Sequence, residues 1–186
     1  MIALDIRSDL RRVDQQLAAL QSGVRDRVIG AALNKTIAKG KSEMSRQIRS
    51  EFNIKAGDVN AQLRVRRASA QNGNLLATLQ AFGRRRGQRS RNVMLFRARQ
   101  TRQGVTVQIK KSGGRKLIAH AFIGNNGRTV FIREGSARLP IKPVETIDVP
   151  QMFNTRRINA AVVKKMQREF SIELDRAFSA LARRAQ

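Results

Sequence analysis

Apolar residues recur three or four apart near both ends of the chain and two apart in its middle, so the pattern predicts helices flanking a β-rich centre. At the N-terminal end, Ile6, Leu10, Val13, Leu17 and Leu20 form one stripe between Leu4 and Leu20, with Asp, Arg and Gln filling the gaps. Ser22 and Gly23 interrupt it. A second stripe then runs through Val24, Val28, Ala31, Ala32, Ile37, Ala38, Met44, Ile48 and Phe52, with a bend expected near Gly30 or Gly40 because each Gly costs roughly 1 kcal/mol relative to Ala in a helix interior. The segment IKAGDVNAQL suits one more short helix, with Asp58 as N-cap for Val59 onward.

From Leu63 the period shortens. Leu63 and Val65 alternate with Arg64 and Arg66, and the runs NLLATLQAF, NVMLFRA, GVTVQIKK, KLIAHAFI and TVFIRE follow, separated by Gly, Asn, Ser and Arg. Five or six strands are expected. Gly113 and Gly114 in KSGGRK suit the positive φ of a tight hairpin between GVTVQIK and KLIAHAFI, and GNNG at 124–127 is a second turn that sets TVFIRE antiparallel to the strand before it. The segment 128–153 holds all three prolines, Pro140, Pro143 and Pro150, which push Leu139, Lys142 and Val149 towards extended backbone. It reads as a stiff arm that lies against something. Beyond it Ile158, Ala161, Val162, Met166, Phe170, Leu174, Ala177, Phe178 and Leu181 make one stripe, opened by Asn154 or Thr155 as N-cap, for a helix of roughly seven or eight turns.

That order defines an α+β fold: an N-terminal helix pair, an antiparallel β-sheet of five or six strands, a proline-containing arm and a long C-terminal helix. A chain of 186 residues is one domain by length and buries roughly 70% of the surface it exposes unfolded. The segments within that domain, 1–186, are helical over 1–53, sheet over 62–133 with an Arg-rich loop at 83–91, extended arm over 134–153 and C-terminal helix over 154–184. No internal repeat is visible.

Charge changes the picture most. The formal net charge is +25, and 16 basic side chains stand against one acidic in residues 54–127. Charges this dense repel within the Debye length of about 8 Å at physiological salt, so the middle of the chain expects a counter-charge from nucleic acid, an anionic membrane or an acidic protein. The cluster Arg84, Arg85, Arg86, Arg89 and Arg91 is either a phosphate or acidic-partner contact, since guanidinium pairs both bidentately, or a solvated loop between strands. With neither Trp nor Tyr, only Phe remains for base stacking, and no sequence-reading DNA motif is present. Any DNA contact is therefore expected through the backbone. The amphipathic stripes are read as core or as contacts to a neighbouring subunit; acids at Asp5, Asp9, Asp14, Glu169, Glu173 and Asp175 argue against a membrane surface.

Little catalytic chemistry is on offer. His120 is alone and placed inside KLIAHAFI, where a packed or hydrogen-bonded role is expected. Glu145 and Asp148 stand three apart on the arm, a spacing that could hold Mg²⁺ but that a polar loop also supplies by chance. The glycines at 83–87 and 113–114 match no phosphate-cradling fingerprint. Without cysteine there is no disulfide and no thiolate metal site. No enzyme activity, cofactor or metal is expected. The charged start MIALDIRSDLRR does not read as a signal peptide, and no run is long and apolar enough to span a membrane, so a cytoplasm or a particle built there is the expected setting.

AALNKTIAKGKSEMSRQI in the second helix, LFRARQTRQGVTVQIKKSGGRKLIAHAFI in the sheet and VFIREGSARLPIKPVETIDVPQMF in the arm together resemble the phage minor tail protein Z family, tail-completion proteins of long-tailed bacteriophages. The most specific landmarks are Phe131 to Arg133, then Arg138, Leu139, Pro140 and Ile141, then Val149, Pro150, Gln151 and Met152. The chain departs from the family in having Thr146, Ile147 and Asp148 where a Gly-Pro pair is frequent. The resemblance implies a virion component at the head-proximal end of the tail or neck, acting when the tail becomes competent to join the DNA-filled head. It also implies a homo-oligomeric ring, most simply of six copies, beside tail terminator, tail tube or neck proteins, with the DNA backbone a further partner in the channel. Six such chains would carry a formal charge of about +150 around that channel. Arg138, Leu139, Pro140, Ile141, Pro150 and Met152 are the expected arm anchors or inter-subunit contacts. The alternative from a different class is a free, sequence-independent nucleic-acid-binding protein.

Overall fold

A computed structural model describes residues 22–71, 74–83 and 91–183. The helix expected over 4–20 lies outside them, as do Arg84, Arg85, Arg86 and Arg89. The chain mixes helix and sheet, with a long helix near its start, several small antiparallel sheets and a long helix near its end. The residues group into two compact units, each assembled from segments distant in sequence.

The first unit holds α1 (Ser22–Glu51) up to Met44, the hairpin partners β1 (Leu63–Arg66) and β2 (Thr78–Ala81), and the C-terminal helix (Arg156–Ala182). The α1 stripe is buried through Val28, Ala32, Ile37 and Met44, and the C-terminal helix buries Ile158, Val162, Met166, Phe170 and Leu174. Burying each of the larger of these side chains contributes roughly 1.5–3 kcal/mol. Helix α1 runs unbroken through both Gly30 and Gly40. At Gly40 the absent side chain has a purpose: a Cβ there would sit 2.6 Å from Met166 Sδ, so glycine allows the two helices to approach closely. β1 and β2 pair antiparallel from Leu63 opposite Ala81 to Arg66 opposite Thr78. Asn34 ties α1 to the stretch after β1, accepting from the Ala68 N–H (2.8 Å) and donating to the Ala68 carbonyl (3.0 Å).

The same unit carries a cluster of ion pairs. Lys39 Nζ donates to Glu169 Oε2 (2.6 Å) and Glu173 Oε1 (2.7 Å), Arg176 also donates to Glu173 Oε1 (2.6 Å), and Lys165 Nζ donates to Glu43 Oε2 (2.8 Å). The Glu173 side chain is only 3% exposed. A carboxylate so buried needs these donors. Hydrogen bonding from Lys39, and then from Arg176, holds its pKa below the usual carboxylate value against the upward push of burial. Lys39 is raised in turn, first by its bond to Glu169 and then by that to Glu173.

The second unit holds the end of α1 from Ser45, a short helix α2 (Ala56–Asn60) and residues 82–153. Its strands are β3 (Arg91–Asn92), β4 (Arg99–Thr101), β5 (Gly104–Val107), β6 (Lys116–Ala119), β7 (Ala121–Gly124), β8 (Thr129–Arg133), β9 (Ile141–Pro143) and β10 (Glu145–Thr146). Where the sequence pattern leads to one sheet of five or six strands, the described strands of the chain divide among four: β1-β2, β3-β10, β4-β5-β6 and β7-β8-β9. Val93, Val105, Val107, Ala121 and Val130 form a buried core shared by two of these sheets, β4-β5-β6 and β7-β8-β9, and the turn that follows β3.

Several local readings change for identifiable reasons. KLIAHAFI is two strands, because His120 takes φ +58° and turns the chain from one sheet into the next; His120 is exposed, and its N–H donates to the Gln103 carbonyl (3.1 Å). β5 and β6 do pair as a hairpin, but over a loop at 108–115 in which neither Gly113 nor Gly114 adopts positive φ. The positive φ falls instead at Gly104, where a Cβ would overlap the Ile118 carbonyl oxygen. NVMLFRA begins with the last residue of the two-residue β3 and passes into a 3₁₀ turn at Val93–Leu95, since the Asn92 side chain accepts from the Met94 N–H (3.0 Å) and the Val130 N–H (2.9 Å). In the short helix α2 the N-cap is Lys55, and Asp58 lies inside it. The GNNG turn is as expected: Asn125, Asn126 and Gly127 all have positive φ, and β7 pairs antiparallel with β8.

Candidate interaction surfaces

The segment 134–153 is extended for only part of its length. Lys142 lies in β9, which pairs with β8 from Phe131 opposite Pro143 to Arg133 opposite Ile141. Val149, expected to be extended, instead begins a short helix, α3 (Val149–Phe153). Pro150 fits its first turn because the N–H it lacks would have had no helical partner. Asp148 and Gln151 close the start of the helix as half of a capping box: Gln151 Oε1 accepts from the Asp148 N–H (3.0 Å), while Asp148 Oδ1 accepts from the Val149 N–H (2.8 Å). The spacing Asp-x-x-Gln was readable in the sequence, and was masked there by the proline rule.

These bonds divide the predicted arm residues into two groups. Met152 is buried and Pro150 half-buried, so the C-terminal end of the arm is fixed within its own unit. Arg138, Leu139, Pro140 and Ile141 are exposed. Leu139 leaves 67% of its surface to solvent and Ile141 37%, although the backbone of the same segment is held by β9 and by the Glu134 N–H donating to the Pro140 carbonyl (3.1 Å). The Leu139–Pro140 peptide is cis. A fixed backbone thus displays two large aliphatic side chains.

Of the basic cluster, Arg91 is the described member, and it points inward. Its side chain is 17% exposed, with Nη1 3.6 Å from Asp58 Oδ1 and Nε 3.7 Å from Asp148 Oδ1. Asp148 Oδ2 also accepts from Gln62 Nε2 (3.2 Å). Arg91 therefore links α2, β3 and the start of α3 inside the second unit. Glu145 and Asp148 have separate surroundings, and among the described residues no group of His, Asp or Glu could hold a metal ion.

The structure gathers other cations that the sequence scatters. A groove of about 880 Å³ in the second unit is rimmed by Arg49, Lys55, Arg97, Lys111 and Arg128. All five are exposed, and none has a carboxylate partner among the described residues. Local bonds bring its walls together: the Asn53 N–H donates to the Ile109 carbonyl (2.9 Å) and the Lys111 N–H to the Glu51 carbonyl (2.8 Å), so the end of α1 is laced to the β5–β6 loop. No spacing rule marks residues so far apart in sequence. The weaker available signal was the charge excess of the middle region.

Among the described residues no helix is long and apolar enough to cross a membrane. What the described surface offers is contact: a displayed aliphatic hairpin and a cationic groove on a mixed α and β scaffold, which is the equipment of an assembly protein. The family model for prophage minor tail protein Z matches residues 10–185, and the chain belongs to that family. It is thus a structural protein of the phage tail, a component of the virion. Neither curated proteins nor solved structures gave a match.

Proposed function

We propose that this protein is a ring subunit that completes the head-proximal end of the tail, or the neck, so that the tail can join the head. The observation that carries the reading is the arm: Met152 and the rest of α3 are anchored in the fold, while Ile141 stands exposed on paired backbone and Leu139 stands exposed just before it. Single exposed aliphatic side chains are ordinary, but two on a fixed hairpin within the family's most specific stretch suit burial against the adjacent subunit. Six copies would match the rotational symmetry of a tail, with terminator, tube or neck proteins above and below. The role is structural, requires neither catalysis nor cofactor, and is completed in the host cytoplasm. Electron microscopy of virions carrying an epitope-tagged chain tests it: antibody label should fall at the head-tail junction, and averaged particles should show a closed ring there. A chain missing from particles, and monomeric with and without tails, would refute the proposal.

A further inference from the structure

We infer that the cationic groove of the second unit is a docking site for an acidic segment of a different protein, one whose carboxylates flank at least one aliphatic side chain. The inference deepens the tail reading by giving one of the ring's neighbours a defined contact. Its first ground is charge. Arg49, Lys55, Arg97, Lys111 and Arg128 converge on one groove without a carboxylate partner among the described residues, and the acid that lines it, Asp58, already faces Arg91 at 3.6 Å. Five like charges around one cavity repel one another unless something anionic enters.

The floor decides which anion. Phe52 and Ile54 are buried beneath the groove, and Met94, Leu95 and Ala98 are half-buried along it. A phosphodiester backbone would satisfy the rim, but it would leave this apolar floor facing a polyanion and gain nothing from it. A peptide with an aliphatic residue between carboxylates satisfies both, and methionine adapts readily to such a guest. A volume of about 880 Å³ lies within the range of roughly 300–1,000 Å³ typical of side-chain and small-ligand sites, whereas a duplex is too wide to enter and would touch the rim alone.

The rim is also held in place. Arg97 has φ +53°, a conformation uncommon for a residue with a Cβ, and its carbonyl is fixed by a hydrogen bond from Arg115 Nη2, which also donates to the Thr106 carbonyl (3.1 Å). A second copy of this chain is a poor occupant. Its densest acidic stretch, 169–175, has Glu169 and Glu173 committed to Lys39 and Arg176 within the first unit. Its other acidic run, Asp5, Asp9 and Asp14, is offset by Arg7, Arg11 and Arg12, so the occupant is taken to be a different chain.

The test uses the full-length protein at about 0.15 M salt and three labelled probes read by fluorescence anisotropy. These are a short Glu/Asp peptide with central Leu and Met, the same peptide with Ser at those two positions, and a short random-sequence DNA duplex. The Leu/Met peptide should bind at least about tenfold tighter than either other probe, a difference of about 1.4 kcal/mol. Lys55→Glu with Arg97→Glu should weaken it at least about tenfold, while Lys164→Glu with Arg168→Glu on the C-terminal helix should leave it within about twofold. If the double variant in the groove melts early, Lys111→Glu on the exposed loop replaces it. Absence of peptide binding, equal binding of the Ser peptide, tighter binding of the duplex, or equal losses in groove and control variants would each overturn the inference. Label at the head-tail junction would stand in any of these cases, so failure here is distinct from failure of the tail reading.

Discussion

Replacing Leu139 and Ile141 together by Asp should separate folding from assembly. In the isolated chain Leu139 leaves 67% of its surface in water and loses little burial on substitution, whereas Ile141 leaves 37% and gives up part of its burial. At Leu139 the expected cost is within about 0.5 kcal/mol, as for other surface positions. At Ile141 it rises to about 1–2 kcal/mol, because part of its apolar surface is already covered and Asp is a poor strand residue opposite Arg133 in β9. The melting temperature should accordingly fall by no more than about 10 °C for a chain of this size. At a subunit contact the balance differs. Fully burying an aliphatic side chain contributes roughly 1.5–3 kcal/mol, and only the surface still exposed on Leu139 and Ile141 remains to be covered there, so losing both weakens one contact by about 1.5–3 kcal/mol, a factor of about 10 to 10². Burying two carboxylates would add to that. The assays are thermal melting of the purified variant, and infectious yield when it is the sole copy supplied during phage growth. Folded protein with lost yield is the expected result. Normal yield would show that the arm tip makes no necessary contact, and a collapse in melting temperature would show that the two residues belong to the fold instead.

Three further outcomes follow from the packing. Gly104→Ala should destabilise the second unit by more than about 1 kcal/mol, since the residue needs positive φ and its Cβ would overlap the Ile118 carbonyl; an unchanged urea midpoint would refute the geometry. Gly40→Val should cost about 1–3 kcal/mol through collision with Met166, and Met166→Ala should cost less in that background than in the parent chain; additive losses would mean that the helices do not meet there. Glu173 should make the first unit sensitive to acid. Its carboxyl is held below the ordinary value of 4.5, so it contributes stability that is complete above that pH and is lost as pH falls through the lower folded value. Lys39, raised above 10.5, contributes stability present below that pH and lost in stronger alkali. Glu173→Gln should flatten the acid limb of a melting-temperature profile, and an unaltered slope would assign the acid sensitivity to other carboxylates.

How much was legible beforehand depended on the range of the interaction. The two long helices follow from stripes such as Ile37 to Ile48 and Ile158 to Leu174, because a 3.6-residue period is a property of neighbours in sequence. The Asn125-Asn126-Gly127 turn is equally local, needing only residues that tolerate positive φ. The family signature around Arg138 to Met152 needed no coordinates. The break at His120 did, since nothing in KLIAHAFI forbids one strand; it turns because Ala119 pairs with Gly104 while Ala121 pairs with Ile132 in another sheet.

The functional surfaces divide in the same way. Sequence alone determined that the middle of the chain is cationic. Which cations act together was decided by tertiary structure: Arg91 turned inward to Asp58 and Asp148, while Arg49, Lys55, Arg97, Lys111 and Arg128 came to rim one groove. The physical reason is that charge adds along a sequence, whereas partners are set by distance in space. A count of arginines cannot tell one whose carboxylate is supplied by its own fold from one whose carboxylate must come from another molecule.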